Sequence, residues 1–333
     1  MGYCRFPIDH ARSWPPDHSA RSWLWEASRL LRLSAWSRFQ EGDPAGAYED
    51  TCCALRLARG TREPLVAWQE TGDRLVEAAL NGTLRHLLER GSGSPTEWKR
   101  VLTDVDCLDR DRAFVLALKG LRARGFTLFE QSNYDPQSVA DAVVPSFGYP
   151  MRRSLLFERA RGKRAAAEFL RSMTDVIAAA QQEPHCASKM LLTVDGEIRK
   201  RRNENPNLVC WIVLCPPRTD DLSVFERYQL HLVCKATVQL ARVALAMRLY
   251  EDIHGMLPKC LSDLAPSMLP DVPADPFTGR PFGYRLDRNG RVLYSVGPDL
   301  GDDGAKDIRY HRHNLGGDGD IVWRLDNSHH AGD

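Results

Sequence analysis

After Thr219-Asp220-Asp221 apolar residues recur at helical spacing to about His254, through Leu230, Val233, Val238, Leu240, Val243, Ala244, Met247 and Tyr250. Gly255 follows as a natural C-cap, with Pro258 just beyond it. No other feature constrains the fold so strongly. A helix of this length needs a core around it, and it divides two stretches of different texture.

Upstream, the pattern is helical from Trp23 to about Gln182. Trp23, Ala27, Leu30, Leu31 and Ala35 share one helix face until Gly42-Asp43-Pro44 breaks the run. Asp43 is placed to cap a second helix with Pro44 at its first position. Ala47, Thr51, Ala54, Leu55 and Ala58 then lie on one face. Glu63-Pro64 opens a third helix reaching about Arg90, GSGSP makes a loop, and Pro95 starts the next helix. Further helices are expected over about 110–121 and 151–180, with irregular connections at QSNYDPQS and VVPSFGYP. The basic run Arg199-Lys200-Arg201-Arg202 reads as a solvated linker. The run LVCWIVLC, from Leu208 to Cys215, fits helix and strand equally.

Downstream of Leu257, proline, glycine and aspartate accumulate. FGYRLD and RVLYSVG flank Arg288-Asn289-Gly290, a strong hairpin signal, and DIVWRL reads as a further strand. A long helix carrying a small antiparallel sheet is therefore expected, an α+β module following a helical region. The fold class is mainly α. The expected domains are 1–205, helical, and 206–333, the long helix with its β module and acidic loop.

Composition excludes several functions. With 45 basic and 44 acidic residues the chain lacks the basic excess that bulk nucleic-acid binding requires, so no nucleic-acid partner is expected. No run approaches the ~20 apolar residues of a spanning helix, and no secretory leader is evident, so no membrane span is expected. Nine cysteines, an odd number without metal-site spacing, exclude a complete intramolecular disulfide framework. Most are expected as buried thiols, which leans towards a reducing compartment.

Two resemblances follow from quoted residues. Ala35 to Leu55 reads A-x6-GD-x3-A-x6-AL and resembles one helix pair of a tetratricopeptide repeat, without a 34-residue period. An irregular helical domain fits the same residues. The second covers roughly Lys235 to Leu325. Tyr250 to Pro258 (Y-x4-G-x2-P), Pro273-Ala-Asp275-Pro276-Phe277, Gly283-Tyr284, Tyr294-Ser295-Val296-Gly297-Pro298-Asp299 and Asp320-Ile321-Val322-Trp323 occur in order. This stretch resembles the major pseudopilin of the type II secretion system. In that family the acidic loop holds calcium, which fixes the loop to the sheet and supports assembly. Carried over, Asp299 matches the loop's first aspartate, and Asp318 and Asp320 its closing acidic pair, here interrupted by Gly319. Asp302 and Asp303 have no firm family counterpart. A pseudopilin begins with a leader and a membrane helix, where this chain has soluble helical sequence. The whole looks like bacterial proteins that append such a module to a helical domain.

Read without the resemblance, Asp299, Asp302, Asp303, Asp307, Asp318 and Asp320 are six carboxylates among glycines that permit tight turns. Calcium takes about 6–8 oxygens from such loops. An EF-hand register from Asp299 puts Gly304 at the turn, but Gly301 and Tyr310 occupy ligand positions. GGDGDI matches a glycine-rich calcium nonapeptide only in part. Asp-Gly turns with solvated acids, screened by Lys306, Arg309 and Arg312, are the structural alternative. His311, His313, His329 and His330 read as a polar C-terminal stretch rather than metal ligands. HExxH, GxSxG, Walker and GxGxxG patterns are missing.

The expectation is thus a non-catalytic interaction or assembly protein, possessing a protein partner for its helical domain. Its C-terminal module is calcium-stabilised at Asp299, Asp302, Asp303, Asp318 and Asp320, and is related to secretion or the cell envelope. The alternatives are a metal-dependent hydrolase using the same acids and a helical scaffold with no ion. Calcium sites of the extracellular type, binding at ~0.1–1 mM, would be empty in a cytosol. The module therefore belongs outside the cytoplasm if an anchor precedes it, and the thiols point inside otherwise.

Overall fold

The computed structural model describes residues 18–61, 66–90, 93–108, 111–134, 159–204, 223–287, 290–310 and 315–325. It is mainly helical, with a small antiparallel sheet. Cα proximity divides the chain into two compact units. One comprises Met1–Arg21, Glu63–Gln69 and Arg112–Tyr228; the other comprises Ser22–Arg62, Glu70–Asp111 and Gln229–Asp333. The divide expected at 205–206 lies outside the described residues, as do LVCWIVLC and the four C-terminal-region histidines.

The first unit is built largely from α6 (Asp111–Tyr134), α7 (Arg159–Ala180) and α8 (Pro184–Glu204). α6 runs past the expected end at 121, and Gly125 does not stop it. A Cβ there would lie 2.3 Å from the Phe169 ring, so the glycine admits that buried ring instead. The basic run expected as a linker is helical. Arg199 pairs with Asp195 one turn back at 2.8 Å, and Arg201 reaches Glu168 of α7 at 2.8 Å. Those acids supply i,i+4 and interhelical partners that charge counting along the run overlooks.

The second unit contains α2 (Pro44–Arg59), α4 (Arg85–Glu89) and α5 (Pro95–Asp106), and most of α1 (His18–Gln40), α3 (Val66–Ala79) and α9 (Val224–His254). Local chemistry sets the boundaries. Asp43 accepts the Gly46 N–H at 2.9 Å with Pro44 at the first helical position, as expected. Ser94 and Glu97 form a capping box before α5, and Ser223 and Glu226 one before α9. Gly255, at φ +69°, donates to Glu251 O at 2.7 Å and ends α9. Ala47, Thr51, Ala54, Leu55 and Ala58 are all buried. The third helix departs from expectation: a π turn, Leu80–Leu84, interrupts it between α3 and α4.

α9 is the core helix. Leu232, Val233, Ala236, Leu240, Ala241 and the run Val243 to Met247 are buried, and the half-exposed polar residues of this stretch, Lys235, Gln239 and Arg242, are confined to one narrow strip. By length and hydropathy it would also pass as a bilayer span, and 78% of its most apolar window is buried in this fold. Fully buried Arg248 donates through Nε to Leu88 O at 3.0 Å, satisfying a terminal carbonyl of α4, and pairs with Glu251 at 2.6 Å. Buried His231 meets Asp73 of α3 at 3.0 Å.

The sheet has the order β1-β2-β3: Gly283–Asp287, Gly290–Ser295 and Ile321–Leu325, antiparallel throughout. Gly283 stands opposite Tyr294, and a Cβ on it would lie 2.2 Å from the tyrosine ring. The ring therefore lies over the glycine, as aromatic cross-strand rescue requires. β3 lies against α4. The free cysteines among the described residues are mixed in burial, and Cys4, Cys210 and Cys215 lie outside those residues. Cys52 and Cys234 are buried, Cys53 and Cys107 half-buried, and Cys186 and Cys260 exposed.

Candidate metal centre

The acidic loop joins β2 to β3, and backbone bonds fix both its ends. Ile308 N–H donates to Asp320 O at 3.0 Å and Asp320 N–H to Lys306 O at 2.7 Å, a parallel bridge that lays the loop's far end beside the start of β3. At the near end, buried Asp275 accepts N–H bonds from Phe277 at 2.9 Å and Val296 at 3.2 Å. The Pro-x-Asp-Pro turn is thereby docked on the end of β2. Burial pushes the Asp275 carboxyl up, against the pull of those N–H groups.

Turning so tightly puts Gly297 and Gly304 at positive φ, and with them two residues bearing side chains, Leu300 at 62° and Ala305 at 58°. Left-handed conformation in non-glycine residues costs about 1–2 kcal/mol each, so neighbouring contacts must hold the loop. Arg285 donates to Gly304 O, and Arg324 to Ala305 O at 3.2 Å. These two basic groups from β1 and β3 hold the loop; Arg312, one of the three basic residues expected to screen the acids, lies outside the described residues.

The five candidate aspartates share this loop but do different things. Asp299 accepts Gly301 N–H at 3.1 Å and Gly319 N–H at 3.3 Å, linking the two acidic ends. A Cβ on Gly301 would lie 3.6 Å from Asp303 Oδ2 and 3.8 Å from Asp299 Oδ1, so both carboxylates face that glycine. Asp302 accepts Gly304 N–H at 3.0 Å and the Tyr294 hydroxyl at 3.2 Å. Asp318 is exposed. Asp320 is wholly buried; its Oδ2 accepts Ala305 N–H at 2.6 Å, and its Oδ1 is buried with no hydrogen-bond partner. Burial, with the charges of Asp302 and Asp303 adding, pushes the Asp320 carboxyl above its ordinary value, against the pull of the Ala305 and Asp303 backbone N–H groups.

Buried Tyr310 sits among these acids and donates to the Gly317 and Gly319 carbonyls. Burial first, then the charges of Asp299, Asp320, Asp303 and Asp318, push its phenol up. Asp307, the sixth acid of the window, is taken by Arg85 of α4 at 2.6 Å. No sequence signal could have found that pair, whose members are 222 residues apart.

Among the described residues, no three His, Cys, Asp or Glu side chains form a group able to hold a metal ion. The donor chemistry nevertheless fits a hard cation. The available atoms are carboxylate and carbonyl oxygens, as calcium prefers. The orphaned Asp320 Oδ1 is a buried acceptor of the kind normally satisfied by a partner or an ion. No protein-family model, no curated protein and no solved structure matches the chain.

Proposed function

We propose that this chain is a non-catalytic interaction or assembly protein whose pseudopilin-like C-terminal module is stapled by calcium, in a secretion or cell-envelope setting. The observation that carries the reading is the buried, unpartnered Asp320 Oδ1 at the foot of a loop that also contains Asp299, Asp302, Asp303 and Asp318. Asp320 and Asp299 would hold the ion, with Asp303, Asp302 and Asp318 contributing. When bound, calcium supplies charge neutralisation, not chemistry on a substrate. Without it, several carboxylates repel one another across a strained turn.

A protein partner is proposed for the helical part. α1 and α2 lie side by side, with Ser34 Oγ donating to Asp50 at 2.6 Å and Arg38 pairing with it at 3.2 Å. The small buried residues Ala35, Gly46 and Ala47 support the tetratricopeptide-like reading of this pair. Trp23, Leu30 and Leu33 of α1 are 75%, 65% and 55% exposed, an apolar strip suited to a partner.

Calcium titrated calorimetrically into the EDTA-treated, dialysed full chain tests the staple. Saturable binding that Asp299→Asn and Asp320→Asn each weaken at least about tenfold is expected. Binding that survives Asp299→Asn unchanged would count heavily against this site.

A further inference from the structure

A cavity of about 320 Å³ lies in the second unit, bounded by α1, the end of α3, the π turn, α4, α9 and the stretch 307–310. Four guanidinium groups border it, from Arg32, Arg74, Arg85 and Arg309, against two carboxylates, Glu77 and Asp307. The four positive and two negative charges leave an excess of two. They are not equivalent. Arg85 is spoken for by Asp307 at 2.6 Å and Glu89 at 2.7 Å. Half-buried Glu77 is pushed up to about 8, by burial first and then by Asp73, with Arg74 opposing.

Arg32 is the anomaly. Its Nε is buried and makes no hydrogen bond. Burial and the neighbouring charge of Arg309 both disfavour its protonated form. A buried donor without an acceptor, beside a like charge, is an unfavourable arrangement unless an anion completes it. The local backbone is shaped around it. A Cβ on Gly82, in the π turn, would lie 2.8 Å from Arg32 Nη2 and 2.9 Å from Nε. The missing side chain lets the guanidinium lie against the turn. π turns within helices recur at functional sites, and glycine in a helix costs stability without adding a contact. Trp25 and Val233 supply apolar wall beside the charge.

We infer that this cavity binds the phosphate group of a small molecule, with Arg32 as its principal anion contact and Gly82 holding Arg32 in place. The volume is that of a small-ligand site, at the lower end of the usual ~300–1,000 Å³. Planar guanidinium forks suit phosphate oxygens better than ammonium groups do. The stretch 307–310 that borders the cavity belongs to the acidic loop, but none of the five proposed calcium-holding aspartates lines it, so the anion site is expected to work in EDTA.

The test is calorimetric titration of inorganic phosphate and of phenyl phosphate into the full chain in EDTA, with thermal melts alongside. Saturable binding of both probes is expected, tighter for phenyl phosphate. Arg32→Gln and Gly82→Ala should each weaken it at least about tenfold. Without phosphate, Arg32→Gln should melt at the wild-type temperature or above, because it removes an unpaired buried donor and a like charge. A structural role for Arg32 would lower that melting temperature instead, and would overturn the inference. So would a lack of saturable binding, or undiminished binding to Arg32→Gln.

Discussion

Arg248→Met is the substitution whose cost follows most directly from the geometry. The arginine is fully buried, its Nε lies 3.0 Å from Leu88 O, and its Nη1 lies 2.6 Å from Glu251 Oε2, which is itself buried. Methionine keeps most of the aliphatic volume and removes the charge. The Glu251 carboxylate then loses this buried cation, and the Leu88 carbonyl loses its charged donor. Removing one partner of a buried ion pair costs about 3–5 kcal/mol. A chain of this size loses about 2 °C of melting temperature per kcal/mol, so the midpoint should fall by roughly 6–10 °C. Arg248→Met with Glu251→Leu removes both charges and leaves the Leu88 and Glu89 carbonyls without this donor, a residual of about 1–3 kcal/mol. Urea unfolding followed by circular dichroism at the helix band reads both variants. The reasoning is refuted if the single variant lies within about 1 kcal/mol of the parent. It is equally refuted if the double variant is no more stable than the single.

Other outcomes follow from individual residues. Gly283→Ala would press a Cβ into the Tyr294 ring and disturb its bond to Asp302, costing about 1–3 kcal/mol by the same unfolding assay. Asp43→Ala removes the acceptor of Gly46 N–H and should cost about 1 kcal/mol, with the loss of helix signal showing that α2 frays. Burial raises the folded-state values of Asp275 and Asp320 above the ordinary 3.8, so the folded chain takes up protons before the unfolded chain does. In EDTA these two groups therefore add stability as pH falls through their raised values towards 3.8, and add no more below it. Calcium on Asp320 would hold that carboxylate ionised and reverse the sign of its share. Unfolding free energies from about pH 7 to about pH 4, with and without calcium, should show that reversal in the parent and lose it in Asp320→Asn.

Much of the architecture was legible because it is written locally. Asp43-Pro44, Ser94-Pro95, Gly255 and the strands around Asn289-Gly290 each carry their own boundary chemistry, and the elements begin or end there. Three features were hidden because their causes lie far along the chain. Gly125 reads as a weak point until Phe169 is seen beside it. The run 199–202 reads as a linker until Glu168 supplies a partner. The π turn is signalled only by a helical glycine, whose reason is the Arg32 side chain. The acidic window was visible, but its division of labour was not. Asp307 turns to Arg85 and Asp302 to Tyr294, while Asp320 keeps one buried oxygen unpartnered. Spacing along a loop shows which carboxylates are near one another, not which distant donors claim them.

The calcium staple is tested most directly by melting the full chain in excess EDTA, in about 1 mM calcium and in the same concentration of magnesium. At about 1 mM calcium and a dissociation constant of ~0.1–1 mM, binding to the folded state adds about 0.4–1.4 kcal/mol. The account predicts a rise in melting temperature with calcium, a far smaller one with magnesium, and no rise in Asp320→Asn. Equal midpoints in all three conditions would contradict it, and would leave the loop held by its own hydrogen bonds alone.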